Sequence, residues 1–262
     1  LRSRKELKGD SAHMPMYDIE DPAVQNSFSQ MADAIHFYDS KASIAFRIYQ
    51  PPGYNISETA PPDPSLAMSY MITPGEEIPV ELIQEMIDDT VKKAMLYQSL
   101  GFDMMNIHMS YRSSILANSL SPIMNKRTDR YGGSLENRAR LTIELCQAIK
   151  KACGQDFLIE AQISGEEETG GYTIEDTVEY AKMWEGLIDI LELRGKDGSA
   201  SHPTGFNSNK KYPVTLGYAE AIKKSGANIV TAPNGGFQDI DLNEHYVASG
   251  KTDMIAMARA FI

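Results

Sequence analysis

The chain has 262 residues, 42% hydrophobic and 23% charged, a globular composition able to bury one sizeable core. Its formal net charge of −11 and pI near 5.0 argue against nucleic acid or an anionic membrane surface as partner, since both would repel it. No apolar run is long enough to span a bilayer, and no signal-like apolar segment lies near the start.

In chain order, Leu1–Asp10 is charged and Pro15–Pro22 is rich in turn formers. Gln25–Tyr38 reads as a helix, with Met31, Ala32 and Ile35 on one face. Ser43–Tyr49 is the first expected strand. Pro51–Pro79 follows as a long loop rich in Pro, Ser and Glu, of the kind that forms lids or mobile segments. It contains the sequon Asn55-Ile56-Ser57, read as a chance match in a loop.

Glu81–Ser99 spaces Ile83, Met86, Ile87, Val91, Ala94 and Met95 at three to four residues and stops at Gly101. Asp103–His108 is a strand. Ser134–Ala152 opens at an N-cap serine, carries Glu136 in its positive first turn and stops at Gly154. Leu158–Ser164 is a strand, and Thr173–Glu185 is a helix opening with a loose capping box, Thr173-x-x-Asp176. Asp189–Glu192, Asn228–Ala232 and Met254–Ala258 are the remaining expected strands. Alternating strands and helices imply right-handed βαβ units and a parallel sheet in one domain spanning residues 1–262. Periodicity alone does not separate a closed barrel from an open sheet. Cys146 and Cys153 lie two helical turns apart, roughly 10 Å, too far for a disulfide. They read as core thiols of a reducing compartment, so a cytoplasmic location is expected.

The segment Gly101 to Arg140 is the most informative. His108 and Tyr111 fall just past the C-terminal end of a parallel strand, where barrel enzymes keep their reactive groups. There they can donate hydrogen bonds to a carbonyl oxygen or deliver a proton. The alternative is that His108 satisfies a backbone group and Tyr111 packs under the loop.

Ser121-Pro122, followed by the sixteen-residue run Asn125-Lys-Arg-Thr-Asp-Arg-Tyr-Gly-Gly-Ser-Leu-Glu-Asn-Arg-Ala-Arg140, resembles the signature of the old yellow enzyme and NADH:flavin oxidoreductase family. The 2-enoate reductases and trimethylamine dehydrogenase belong to the same group. The resemblance implies a (β/α)8 TIM barrel, with Lys41–Tyr49 similar to its third strand and Ser249–Arg259 to the approach to its eighth. On that alignment the first two strands and the final helix are missing, so the chain is expected to be incomplete at both ends. It also implies FMN over the C-terminal mouth of the barrel, with NAD(P)H as reductant. The phosphate would lie at Asn234-Gly235-Gly236 and Ala258-Arg259, where glycines admit close approach and an arginine neutralises charge. A turn and a surface charge are the simpler readings of the same residues.

Four positions depart from the family pattern. Ala45 stands where a glutamine contacts the flavin ring, and Gln162 where an arginine faces it. Ser113 replaces the family's proton-donating tyrosine, and Ala258 a glycine. A glutamine supplies hydrogen bonds without charge, so a lower flavin potential is expected. His108 keeps the first position of the family's oxygen-binding pair and Tyr111 takes the second, so Tyr111 is expected to bind that oxygen or supply the proton. The resemblance implies a small-molecule substrate with an activated C=C bond beside a carbonyl or carboxylate, and leaves a homo-oligomer open. Two alternatives stand beside it. One is a flavin-dependent amine dehydrogenase, whose iron–sulfur cysteines would lie beyond this sequence; no metal site is expected within it. The other is a degenerate barrel that binds a ligand without redox turnover.

Overall fold

The computed structural model describes residues 18–46, 48, 51, 53–58, 75–112, 114–168, 170–196 and 213–258. Its centre is a five-stranded parallel sheet. The strands are β1 (Ser43–Phe46), β4 (Met104–Met109), β5 (Leu158–Ser164), β6 (Ile190–Arg194) and β7 (Val230–Pro233), in the order β1-β4-β5-β6-β7. A two-stranded parallel pair, β2 (Tyr54–Asn55) and β3 (Glu76–Glu77), stands apart from it. The helices are α1 (Pro22–His36), α2 (Val80–Ser99), α3 (Ile115–Leu120), α4 (Leu135–Cys153), α5 (Ile174–Met183), α6 (Val214–Lys224) and α7 (Ile240–Ala248).

Both faces of the sheet are largely buried, but with different chemistry. Ile44, Met105, Ile107, Ile159, Ala161, Ile163, Leu191 and Leu193 occupy one face and pack in one core with Ile83, Met86, Leu141, Leu145 and Ile149 of the helices. The alternate residues, including Asn106, His108, Glu160, Gln162, Glu192 and Arg194, form a polar face. The period of two divides each strand this way, and burying the apolar half is the main stabilisation of the sheet.

The expected helices appear with their caps. Asp21 caps α1 ahead of Pro22 at its first turn, and Ser134 Oγ accepts from Asn137 N at the start of α4. Thr173 and Asp176 form a full reciprocal capping box on α5, tighter than the sequence spacing alone suggested. Cys146 and Cys153 are both free and buried in α4, and burial pushes the Cys146 thiol up to about 12. Three helices were not expected: α3, α6 and α7. The sequon asparagine lies in β2, not a loop, and is 1% exposed.

One expected strand is corrected. Met254–Ala258 contributes a single bridge, Asn234 to Ala256, though Met254 N and Ala256 N donate to Thr231 O and Pro233 O of β7. Asp253 competes for the ladder there: its side chain takes Thr231 N at 2.9 Å and Lys223 Nζ at 2.6 Å. Tyr49 and the charged first residues lie outside the described residues, as does most of the Pro51–Pro79 loop. No helix among the described residues is long and apolar enough to cross a membrane.

Asp103, just before β4, ties three elements together. It accepts from His36 Nε2 of α1 at 2.7 Å, from Lys41 Nζ at 2.8 Å and from Ala42 N at 2.8 Å. Burial pushes this carboxyl up, but the hydrogen bonds from Lys41, His36 and Ala42 prevail and lower it from its ordinary 3.8 to about 2. A depressed folded-state pKa contributes stability above the unfolded value and loses it as pH falls through the folded one. Asp103→Asn is therefore expected to destabilise by about 1 kcal/mol near neutrality once solvent screening is allowed for. In urea melts that deficit should shrink between about pH 4 and about pH 2; a constant deficit would refute the assignment.

Candidate active site at the carboxyl ends of the strands

At the end of β4 the chain makes an unusual turn. Tyr111 and Arg112 adopt φ of 61° and 51°, two successive non-glycine residues in the left-handed region. Such geometry costs roughly 1–2 kcal/mol per residue and needs support. Support comes from Arg112, 1% exposed, whose Nε donates to Glu167 Oε1 at 3.2 Å while Nη2 pairs with Glu168 at 2.8 Å. Burial disfavours the guanidinium charge, yet the adjacent carboxylates hold its pKa above the ordinary value. Glu167 Oε2 also accepts from Ser121 Oγ at 2.6 Å and Tyr172 N at 3.3 Å. Three loops thus converge on one buried carboxylate.

The turn carries Tyr111 over the strand ends. Arg194, the last residue of β6, donates from Nε to Tyr111 Oη at 2.7 Å, and its guanidinium carbon lies 4.9 Å from the Tyr111 ring centroid. The His108 and Tyr111 rings are 6.2 Å apart. Both expected catalytic residues therefore meet in one cluster, with Arg194 as a third member.

Below them the polar face is organised around Glu192, 5% exposed. Its carboxylate accepts from Gln162 Nε2 at 2.8 Å, Asn234 Nδ2 at 2.6 Å and Asn106 Nδ2 at 3.4 Å. Gln162 and Asn234, expected on separate strands to face the same cofactor, are thus joined through one carboxylate. Ser110 Oγ lies 3.4 Å from Gln162 Oε1 and 3.3 Å from His108 Nε2. One hydroxyl proton cannot serve both, so donation to Gln162 requires His108 to carry its own proton on Nε2. Glu160, deeper on the same face, accepts from Ser43 Oγ at 3.1 Å, and burial pushes its carboxyl up.

At the end of β7, Gly235 and Gly236 have φ of 98° and 88°, a conformation that side chains disfavour. Among the described residues no backbone carbonyl accepts from either N–H. Two such amides at a strand end, with no Cβ to block approach, suit a phosphate. Ala258 is exposed two residues past Ala256, which bridges Asn234, while Arg259 and Ser113 lie outside the described residues. Ala45 is exposed on β1, opposite Asn106 in register.

The signature segment is architectural. Asn125 Nδ2 holds the carbonyls of Ser119 and Tyr131 at 2.7 and 2.8 Å, and Arg127 Nη1 holds those of Ile56 and Ile78 at 3.2 and 2.7 Å. A Cβ on Gly132 would lie 2.2 Å from Arg127 O, so only glycine fits. The segment anchors β2 and β3 to the main body and does not enter the cluster.

Sequence reasoning missed Glu192, Arg194 and Glu167. A signal existed for two of them: Glu192 and Arg194 alternate with Leu191 and Leu193, which puts both polar groups on one face of β6. Glu167 sits in a loop, and its pairing with Arg112 across fifty-five positions leaves no local trace.

A parallel β/α sheet with donors gathered at the carboxyl ends of its strands is the arrangement of an α/β protein with its ligand site at that edge. The chain belongs to the NADH:flavin oxidoreductase / NADH oxidase family, whose model matches residues 10–262. That family implies FMN and a nicotinamide reductant. The chain is 28% identical to an NADH oxidase of Thermoanaerobacter brockii over 256 residues, covering 93% of this chain and 38% of that protein. It is 33% identical to a cinnamate reductase of Clostridium sporogenes over 207 residues, covering 71% of this chain and 30% of that protein. It thus spans well under half of either relative. Among solved structures, an old yellow enzyme homologue from Zymomonas mobilis superposes with a TM-score of 0.70 at 19% identity, covering 94% of this chain and 70% of that one. That likeness supports the fold.

The buried pair makes a sharp prediction. Arg112→Ala leaves Glu167 without its guanidinium and should cost about 3–5 kcal/mol in urea unfolding. Arg112→Gly loses the same charge but relaxes the positive φ, so it should be less damaging than alanine by about 1 kcal/mol. Equal losses would mean that the turn is unstrained.

Proposed function

We propose that the sheet is part of an FMN-binding (β/α)8 barrel in an NAD(P)H-dependent oxidoreductase that reduces an activated C=C bond of an α,β-unsaturated carbonyl or carboxylate. The observation that carries this reading is the cluster at the ends of β4 and β6, where Tyr111 accepts from Arg194 and its ring lies 6.2 Å from that of His108. When bound, FMN supplies the hydride that such a reaction needs.

The chain's own groups have separable roles in this reading. The Gly235 and Gly236 amides, with Asn234 and Ala258 and with Arg259 beyond the described residues, would hold the phosphate end of FMN. Gln162, oriented by Glu192 and Ser110, faces its ring with hydrogen bonds but no charge. His108 and Tyr111 donate to the substrate's carbonyl or carboxylate oxygen, where negative charge grows as the β-carbon is reduced. A Tyr111 oxygen that accepts from Arg194 keeps its own O–H, and that one proton serves either as the hydrogen bond to the substrate oxygen, beside His108, or as the proton delivered to the α-carbon. This gives Tyr111 the task for which Ser113 is far too weak an acid. The turn at Tyr111 and Arg112 and the buried Glu167 keep the phenol over the strand ends.

Tyr111→Phe preserves the ring and removes only the hydroxyl. In the full-length protein, turnover of an enone or of cinnamate by NAD(P)H is expected to fall by about 100-fold or more, with bound flavin unchanged. Full turnover in this variant would remove Tyr111 from the chemistry.

A further inference from the structure

We infer that Arg194 is the residue that selects a carboxylate over a neutral carbonyl, so that the site takes an anionic substrate; this rests on the reductase reading above. Among the described residues no carboxylate forms an ion pair with Arg194, whereas Arg112, Arg127 and Arg130 each have at least one, and Arg138 and Arg140, also without one, spend their guanidinium groups on backbone carbonyls and Asn137. The nearest candidate on its own strand, Glu192, is two residues earlier on the same face and already accepts from three amides. Arg194 is partly buried at the strand end and is held in place through Nε by Tyr111.

That contact leaves the terminal guanidinium nitrogens, a planar fork matched to two carboxylate oxygens. Tyr111 lies against the guanidinium, with the His108 ring on from it at 6.2 Å, so a bound carboxylate would meet the cation and the phenol together. The chain's net charge of −11 repels an anion at long range, and a local cation with no carboxylate partner among the described residues is what would make such a ligand bind. A ketone or ester has no second anionic oxygen for the fork and would lose little without it. Arg194 therefore sets which substrates enter, while Tyr111 and His108 act on whichever oxygen is bound.

The test is titration calorimetry of the full-length protein with cinnamate and with its neutral methyl ester, for wild type, Arg194→Met and Arg194→Lys. Arg194→Met should weaken cinnamate binding about ten- to a hundredfold and ester binding no more than about threefold, with Arg194→Lys in between for cinnamate. Equal loss for both ligands would make Arg194 merely structural and overturn the inference. So would unchanged cinnamate affinity, or no cinnamate binding by wild type. NAD(P)H consumption with cinnamate, followed in parallel, tests the underlying reaction separately. Arg194-dependent carboxylate binding without turnover would remove the reductase reading and keep this one, and turnover indifferent to Arg194 would do the reverse.

Discussion

The ion pair between Arg112 and Glu167 decides where Tyr111 goes. Two residues in the left-handed region are unfavourable in isolation, and the turn persists because leaving it would strand a buried guanidinium and a buried carboxylate together. Glu167 also gathers Ser121, at the end of α3, and the backbone of Tyr172. The loops after β4 and β5 are thereby locked to one another. A phenol on an ordinary loop would sample many positions, whereas this one is held against Arg194 at the end of β6. Precision at the strand ends is thus supplied from beneath, by groups that touch no substrate.

Glu192 does the corresponding work on the polar face. One carboxylate orienting amides from β4, β5 and the end of β7 fixes which atoms of Gln162 and Asn234 point outward. The same face also holds Glu160, whose ionisation burial opposes. A flavin ring over this surface would meet oriented dipoles and acidic groups, with Arg194 turned toward Tyr111. The arginine that the family resemblance implies at this position is Gln162 here, and the chemistry proposed leans accordingly on the donors at the strand ends.

Much of this was legible in the sequence, for identifiable reasons. β5 and the helices α2, α4 and α5 announce themselves through apolar periodicity and caps, both local properties. Counting along the strand puts His108 and Tyr111 at its end, whereas Gly235-Gly236 follow only from the family resemblance. The helices α3, α6 and α7 are not legible: α3 is buried along its whole length, so that no polar face marks it, α6 opens at Pro213 without the side-chain cap that marks α5, and α7 has only nine residues. The strand expected at Met254–Ala258 shrank to one bridge because Asp253 takes ladder groups of β7. Hidden above all were the pairings Arg112–Glu167 and Tyr111–Arg194, which join residues 55 and 83 positions apart.

The central claim is that this sheet edge receives a flavin. Its most direct test is to release and quantify the flavin of the purified full-length protein. The account predicts close to one equivalent of FMN per chain, bound with Ala45 and Gln162 in place of the family's ring contacts. A folded protein that carries no flavin and takes none up when FMN is added would contradict it.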